Sequence, residues 1–321
     1  MAYDITGIVE ASSNRSETQD IIGKSAFFDA HILTYHDEAL RVWRSVTRRY
    51  TKKEEELDIP YSLAESAKLY AVDALSIAGP LVRNDRDIFT IAEFFCVFYL
   101  VVHYFDDHVE HRDKFYSKFD FSQNNSIDTQ HGAAPFSFIL ISFSILGDLL
   151  RDIDSLDAES RYQILQSVYT ALALQTRYFA AERQHNLDVM EVLEIKQRQV
   201  SGKTLSLLGD ILGRYLQYDT DKSQLLQCGL MYLGSLTQIT DDIRDLSIDT
   251  ALRNANIVTA CYRLGKLAGV AQLASIYNKE VTHAKKYLVG FYDTAELSTL
   301  LSLPFYPFMV NKQELEGAPK V

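Results

Sequence analysis

An all-α fold is predicted by three features of this 321-residue chain. The six prolines stand at positions 60, 80, 135, 304, 307 and 319, so nothing from 136 to 303 breaks a helix by removing a backbone donor. Within that span apolar residues recur every three or four positions, as in Ile164, Val168 and Leu172, and again in Leu226, Leu230, Leu233, Leu236 and Ile239. No segment sustains the two-residue alternation of a half-buried strand.

Element by element, the periodicity places helices at about 26–50, 63–78, 87–116, 136–151, 158–184, 188–216, 222–246, 250–264 and 267–294, each end uncertain by a few residues. The stretch 117–135 (SKFDFSQNNSIDTQHGAAP) is the clearest loop and reads equally as a lid or as a plain surface connection. The first twenty residues are polar and expected to fray, and the tail from 307 to 321 is expected to be mobile. Residues 21–306 are left as one helical domain with no evident linker.

Apolar residues make up 47% of the chain, and 19 Tyr and 17 Phe are available to line a core. The net charge of −11, with no long basic run, argues against a nucleic-acid partner. Cys96, Cys228 and Cys261 are scattered in apolar contexts without a CxxC, and read as core thiols of a reducing compartment. The start lacks a basic and then apolar leader, and the apolar runs at 94–102 and 136–146 fall short of the roughly 20 residues that span a bilayer. A soluble, cytoplasmic protein without a transmembrane segment is expected.

Two acidic clusters share one spacing: Asp106-Asp107-His108-Val109-Glu110 and Asp241-Asp242-Ile243-Arg244-Asp245. On a helix Asp106 stacks over Glu110 and Asp241 over Asp245, with Asp107 and Asp242 at the edge of the same face. Like charges one turn apart destabilise a helix by a few tenths of a kcal/mol, so a compensating cation is implied. An all-oxygen set of this kind suits Mg²⁺, which takes one or two carboxylates with water and phosphate oxygens. A single such cluster is more often a solvated acidic face than a metal site. The repeat raises the metal reading, as do the long apolar segments before each cluster and the nearby cations Arg112 and Arg244.

The segment GSLTQITDDIRD (234–245) resembles the second aspartate-rich motif of the trans-isoprenyl diphosphate synthases, written GxxFQxxDDxxD. Gly234, Gln238, Asp241, Asp242 and Asp245 match, and Thr237 replaces the aromatic residue. YFDDHVEHRD resembles the family's first motif, with Glu110 as its last acid, and Lys203-Thr204 resembles its KT element. Gln175 falls where the family has its GQ motif, although the glycine is missing, and Gly147-Asp148-Leu149-Leu150 resembles its GDxL.

The resemblance implies an isoprenoid-synthase-like bundle around a deep apolar cavity, with the two clusters facing each other at its mouth. It implies an allylic prenyl diphosphate as substrate, pyrophosphate as product and three Mg²⁺ ions held by Asp106, Asp107, Glu110, Asp241, Asp242 and Asp245. Lys203, Arg112 and Arg253 would contact diphosphate along with Thr204 and Gln175, and Gln238 would sit beside the reacting carbon. Val102 and His103, one turn before the first cluster, and Tyr99, two turns before, would line the pocket or else serve only as core. The family commonly pairs, so a homodimer is implied as well.

Two departures bear on the reaction. Where the family carries a glycine-lysine-arginine-proline clamp for isopentenyl diphosphate, this chain has PYSLAESAKLY, with Lys68 as the sole cation. The paired arginines after the first motif are reduced to Arg112, and the lysine after the second motif has only Arg253 in its place. Prenyl transfer is the family's reaction. The weakened clamp leaves a terpene cyclase acting on a single diphosphate, or transfer to an unusual acceptor, as alternatives. A non-catalytic subunit is disfavoured because both clusters keep their acids. Ser201-Gly202-Lys203-Thr204 ends like a P-loop but lacks the earlier glycine and the preceding strand.

Overall fold

The computed structural model describes residues 5–11, 15–24, 29–53, 61–107, 133–182, 187–252 and 254–309. Among them every regular element is helical, as the sequence predicts. In chain order they are α1 (Ile5–Ala11), α2 (Arg15–Lys24), a 3₁₀ turn (Ala30–Thr34), α3 (Tyr35–Lys53), α4 (Tyr61–Ala78) and α5 (Asp85–Asp107). Next come α6 (Ala133–Asp152), α7 (Ala158–Glu182), α8 (Val189–Val192), a π-helix (Leu193–Gly202), α9 (Lys203–Tyr215) and α10 (Thr220–Arg244). The last are α11 (Leu246–Leu252), α12 (Ile257–Tyr262), α13 (Lys266–Leu288), α14 (Thr294–Ser302), a 3₁₀ turn (Leu303–Phe305) and α15 (Tyr306–Met309). The expected loop lies mostly outside the described residues, since 108–132 are not described.

Three expectations about elements change. The start was expected to fray, yet α1 buries Ile5, Ile8, Val9 and Ala11 and packs on α13. Four apolar residues in seven are enough to dock a short helix whose neighbours are polar. The helix expected over 188–216 is wound in three sections, with the π-helix in the middle. The one expected over 250–264 is two helices, because Asn256 accepts hydrogen bonds from the backbone N–H groups of Val258 and Thr259 and starts α12 afresh.

The chain divides into two compact units, one of residues 35–165 and the other of residues 1–34 with 166–321. In the first, α5 forms the centre and is contacted by α3, α4 and α6. Phe94, Phe95, Cys96, Val97, Phe98, Leu100 and Val101 of α5 are buried together. Such an all-round apolar helix belongs inside a core. The window Asp85–Tyr104 is long and apolar enough to cross a membrane by length and composition, and 78% of it is buried inside the protein. The sequence reading counted only 94–102; Ile88, Phe89, Ile91 and Ala92 extend the run on its N-terminal side.

Polar ties fix the register of this unit. Tyr50 of α3 shares a 2.6 Å hydrogen bond with Ser142 of α6 and stacks on Phe138. Arg49 grips the buried Glu93 through two bonds, Nε at 3.2 Å and Nη2 at 2.9 Å. Asp73 on α4 is also buried, and burial pushes its carboxyl up to about 8. The folded chain therefore keeps a proton that the unfolded chain releases from about pH 4 upward. This residue favours folding fully below that pH, and the contribution fades as pH rises through 8. Asp73→Asn is expected to flatten the decline of thermal stability between pH 4 and 8; melting curves that decline as in wild type would show that Asp73 is not the source.

In the second unit α10 is central and is contacted by α9, the π-helix and α13. Asp219 caps α10 by accepting from the Lys222 backbone N–H at 2.8 Å. Leu226, Leu230, Leu233, Leu236, Ile239 and Ile243 form its buried face. The C-terminal end of this helix carries the second acidic cluster.

Candidate active site

A 25-residue helix ends at Arg244 with Asp241 and Asp242 in its last turn and Asp245 as its C-cap. Carboxylates there oppose the negative end of the helix dipole as well as one another. The protein answers with cations and donors from the segments packed alongside.

Close approach makes those donors available. A Cβ on Gly234 would meet the Ser201 carbonyl at 2.7 Å and Gly202 Cα at 3.0 Å, and a Cβ on Gly202 would meet the Met231 carbonyl at 2.8 Å. The two glycines therefore let the π-helix and α10 touch backbone to backbone. One turn beyond Gly234, Gln238 accepts a hydrogen bond from the Ser201 hydroxyl. Two turns beyond, Asp242 meets Gln197. Gly234→Ala is expected to destabilise the protein by about 1–3 kcal/mol through overpacking, read by urea denaturation; an unchanged midpoint would contradict the close crossing.

Asp242 is 1% exposed. Its Oδ1 accepts from Lys196 Nζ at 2.7 Å and Gln238 Nε2 at 3.0 Å. Its Oδ2 accepts from the Ile257 backbone N–H at 2.8 Å and Gln197 Nε2 at 3.1 Å. A carboxylate has about four lone-pair sites, and here all are taken by protein. Asp242, expected among the metal ligands at the edge of the open face, lies here as the buried tie between α10, the π-helix and α12. Burial pushes the Asp242 carboxyl up, opposed by Lys196 beside it. Burial likewise pulls Lys196 down, but Asp242 and Asp249 outweigh it and hold the side chain as ammonium. Lys196 also donates to the Ala255 carbonyl at 2.9 Å and lies 3.6 Å from Asp249. Asn256 closes the cluster, donating to the Asp242 carbonyl and to Asp249 Oδ2.

Asp241 and Asp245 remain on the open side, their side chains 38% and 36% exposed. Arg244 pairs with Asp241 and reaches Asp245 at 3.3 Å, and Gln238 Nε2 lies 3.4 Å from Asp241. Burial first, and then Asp241, push the Asp245 carboxyl up, opposed by Arg244. Among the described residues no group of three or more His, Cys, Asp or Glu side chains is arranged to hold a metal ion. The open pair nevertheless fits Mg²⁺, which needs only one or two carboxylates when water and phosphate complete its shell.

The other expected residues divide sharply. Lys203 is exposed at the first turn of α9. Thr204 is buried, and its hydroxyl donates to the Val200 carbonyl in the last turn of the π-helix at 2.9 Å. Tyr99 and Val102 are buried on α5. Tyr99 stacks on Tyr70, with Phe95 edge-on at 5.6 Å and the His103 ring at 5.8 Å. His103 Nε2 is buried without a hydrogen-bond partner among the described residues. Asp106 and Asp107 lie in the last turn of α5, and Gln175 lies on α7. Those three side chains, and the residues Glu110, Arg112 and Arg253 altogether, lie outside what the structure describes.

Lys196, Gln197, Ser201 and Asn256 were not foreseen. Residues seven apart share a face of an α-helix, so sequence alone puts Lys196 beside Lys203. The i→i+5 bonding of a π-helix widens the turn, and the two lysines part company. Asn256 before the apolar run IVTACY was a legible cap signal.

No family model and no curated protein matches the sequence. Solved structures do. A geranylgeranyl pyrophosphate synthetase from the archaeon Geoglobus acetivorans aligns at TM-score 0.55 and 13% identity, covering 97% of this chain and 100% of that one. A polyprenyl synthase from Caulobacter crescentus, complexed with calcium and isoprenyl diphosphate, aligns at TM-score 0.55 and 15% identity over 87% of this chain and 98% of that one. A geranylgeranyl pyrophosphate synthetase from Pyrococcus horikoshii aligns at TM-score 0.56 and 12% identity over 88% and 98%. The chain has the all-α fold of the isoprenyl diphosphate synthases, the same family that its two acidic motifs resemble.

Proposed function

We propose that this protein is a Mg²⁺-dependent enzyme that ionises an allylic prenyl diphosphate and transfers the prenyl group. The observation that carries the reading is the pair Asp241 and Asp245, left open at the negative end of α10 while Asp242 beside them is saturated from within. Mg²⁺ bound there supplies the positive charge that a departing diphosphate requires. Gln238 orients Asp241 and Asp242 together, and the exposed Lys203 offers a fixed charge to phosphate oxygens. Asp106, Asp107, Glu110 and Arg112 take the corresponding parts at the first motif, by resemblance.

A second reading has its own support. Lys68, the cation in the segment where the family clamps its acceptor, is only 3% exposed. A buried lysine cannot grip a second diphosphate from solution. That favours cyclisation of one substrate, or transfer to an acceptor without a diphosphate. Incubation with geranyl, farnesyl and geranylgeranyl diphosphates and Mg²⁺, with and without isopentenyl diphosphate, separates the two. Longer diphosphates formed only with isopentenyl diphosphate establish chain elongation, and hydrocarbons or alcohols formed without it establish the cyclase. Absence of pyrophosphate release from every substrate sinks both.

A further inference from the structure

Outside the acidic motifs, charge is concentrated most strongly on α3. Its segment RVWRSVTRRYTKK (41–53) holds six Arg and Lys and no acid, in a chain whose net charge is −11. Val42, Trp43, Val46 and Tyr50 bury one side of the helix and fix its rotation. Arg44, Arg48 and Lys52 then stand exposed at successive turns. Stacked like charges on one face strain a helix unless counter-charge lies nearby. Among the described residues none of these three forms an ion pair, and the described acids close at hand are already engaged; Glu54, Glu55 and Glu56, next in the chain, lie outside the described residues. Arg49 holds both Glu93 and Asp152, and Arg151 holds Asp148.

Beside this face runs a groove of about 380 Å³, lined by Ser45, Arg48, Arg49, Lys52, Ile145 and Asp148. Arg48 and Lys52 bring charge to it that no described acid pairs, while Arg49 is held by Glu93 and Asp152, and Asp148 by Arg151; Ser45 adds a hydroxyl and Ile145 a single apolar side chain. It adjoins a second cleft of about 690 Å³ that shares Ser45 and Arg49 but balances Arg41 and Arg86 with Glu38, Asp85, Glu93 and Asp152, so the unpaired charge belongs to the smaller groove. We propose that the groove between α3 and α6 binds a phosphate-bearing anion. Its volume suits a small head group, and Ile145 is the one apolar side chain in its lining, too little to hold a prenyl chain. Arginine and lysine with a neighbouring hydroxyl are the donors such an anion takes. The site is not the diphosphate position of the first motif. Glu93, which Arg49 grips, precedes Asp106 on α5 by a span worth about 20 Å of helix.

The same chemistry could come from a lipid head group or from free phosphate, and the experiment distinguishes them. The full chain, kept in EDTA so that the acidic clusters recruit no anion through metal, is titrated calorimetrically with inorganic diphosphate. In parallel it is sedimented with phosphatidylcholine vesicles that contain or lack phosphatidic acid. The expected result is binding to at least one probe, weakened by added salt and by about tenfold or more in Arg48→Gln/Lys52→Gln. Arg44→Gln, exposed on the same helix but outside the groove lining, is expected to change binding much less. Diphosphate alone binding identifies a soluble ligand, and phosphatidic acid vesicles alone identify a lipid surface. The proposal is overturned if wild type binds neither probe, if the double variant binds as wild type does, or if Arg44→Gln weakens binding equally. Melting curves of the three proteins are expected to coincide, because surface changes of this kind cost little.

Discussion

Lys196→Met is expected to lower the unfolding free energy by about 3–5 kcal/mol, the usual cost of leaving a buried carboxylate without its cation. The ammonium lies 2.7 Å from the Asp242 carboxylate, whose side chain has no exposed surface, and it also faces Asp249. Gln197, Gln238 and the Ile257 N–H remain as donors to Asp242 but carry no full charge. The measurement is urea denaturation of wild type, Lys196→Met and Lys196→Met/Asp242→Asn. The double variant should recover part of the loss, because the stranded charge goes with its partner. A single variant within about 0.5 kcal/mol of wild type would show that Lys196 is not what holds this carboxylate.

Asp241→Ala should show the opposite profile. Its side chain is 38% exposed and its loss leaves the four bonds to Asp242 in place, so stability and helical circular dichroism should hardly move. Turnover of an allylic diphosphate should fall by about 10²–10³-fold, as when one electrostatic stabiliser of a leaving group is removed. Mg²⁺-dependent binding of pyrophosphate, followed calorimetrically, should weaken in step. Activity near that of wild type with unaltered pyrophosphate binding would refute the assignment of Asp241 to the metal. Taken together the two variants separate neighbouring acids that a sequence motif writes as equivalents: one is expected to stabilise the fold and the other to serve the proposed reaction.

That distinction marks how far the residues could be read alone. The motif DDIRD names three acids, and helical spacing correctly stacks Asp241 over Asp245 on one side. Spacing could not show that Asp242 turns into a cage built from residues 196, 197, 238 and 257, because three of those four lie on other elements. Thr204 and Lys203 differ for a similar reason. The place of Thr204 beside Lys203 suggested a shared task, whereas the helix rotates one outward and buries the other.

The all-α class, the central helix α10 and the acids at its end were set by the chain itself, because proline placement, apolar periodicity and i, i+4 stacking are local properties. Which acid stays open, and which lysine neutralises the buried one, was decided only in three dimensions. A π-wound segment crosses α10 at two glycines, and that close crossing places Lys196 against Asp242 while leaving Lys203 exposed. Pairings of this kind depend on backbone separation between elements distant in sequence, and no local pattern records that distance.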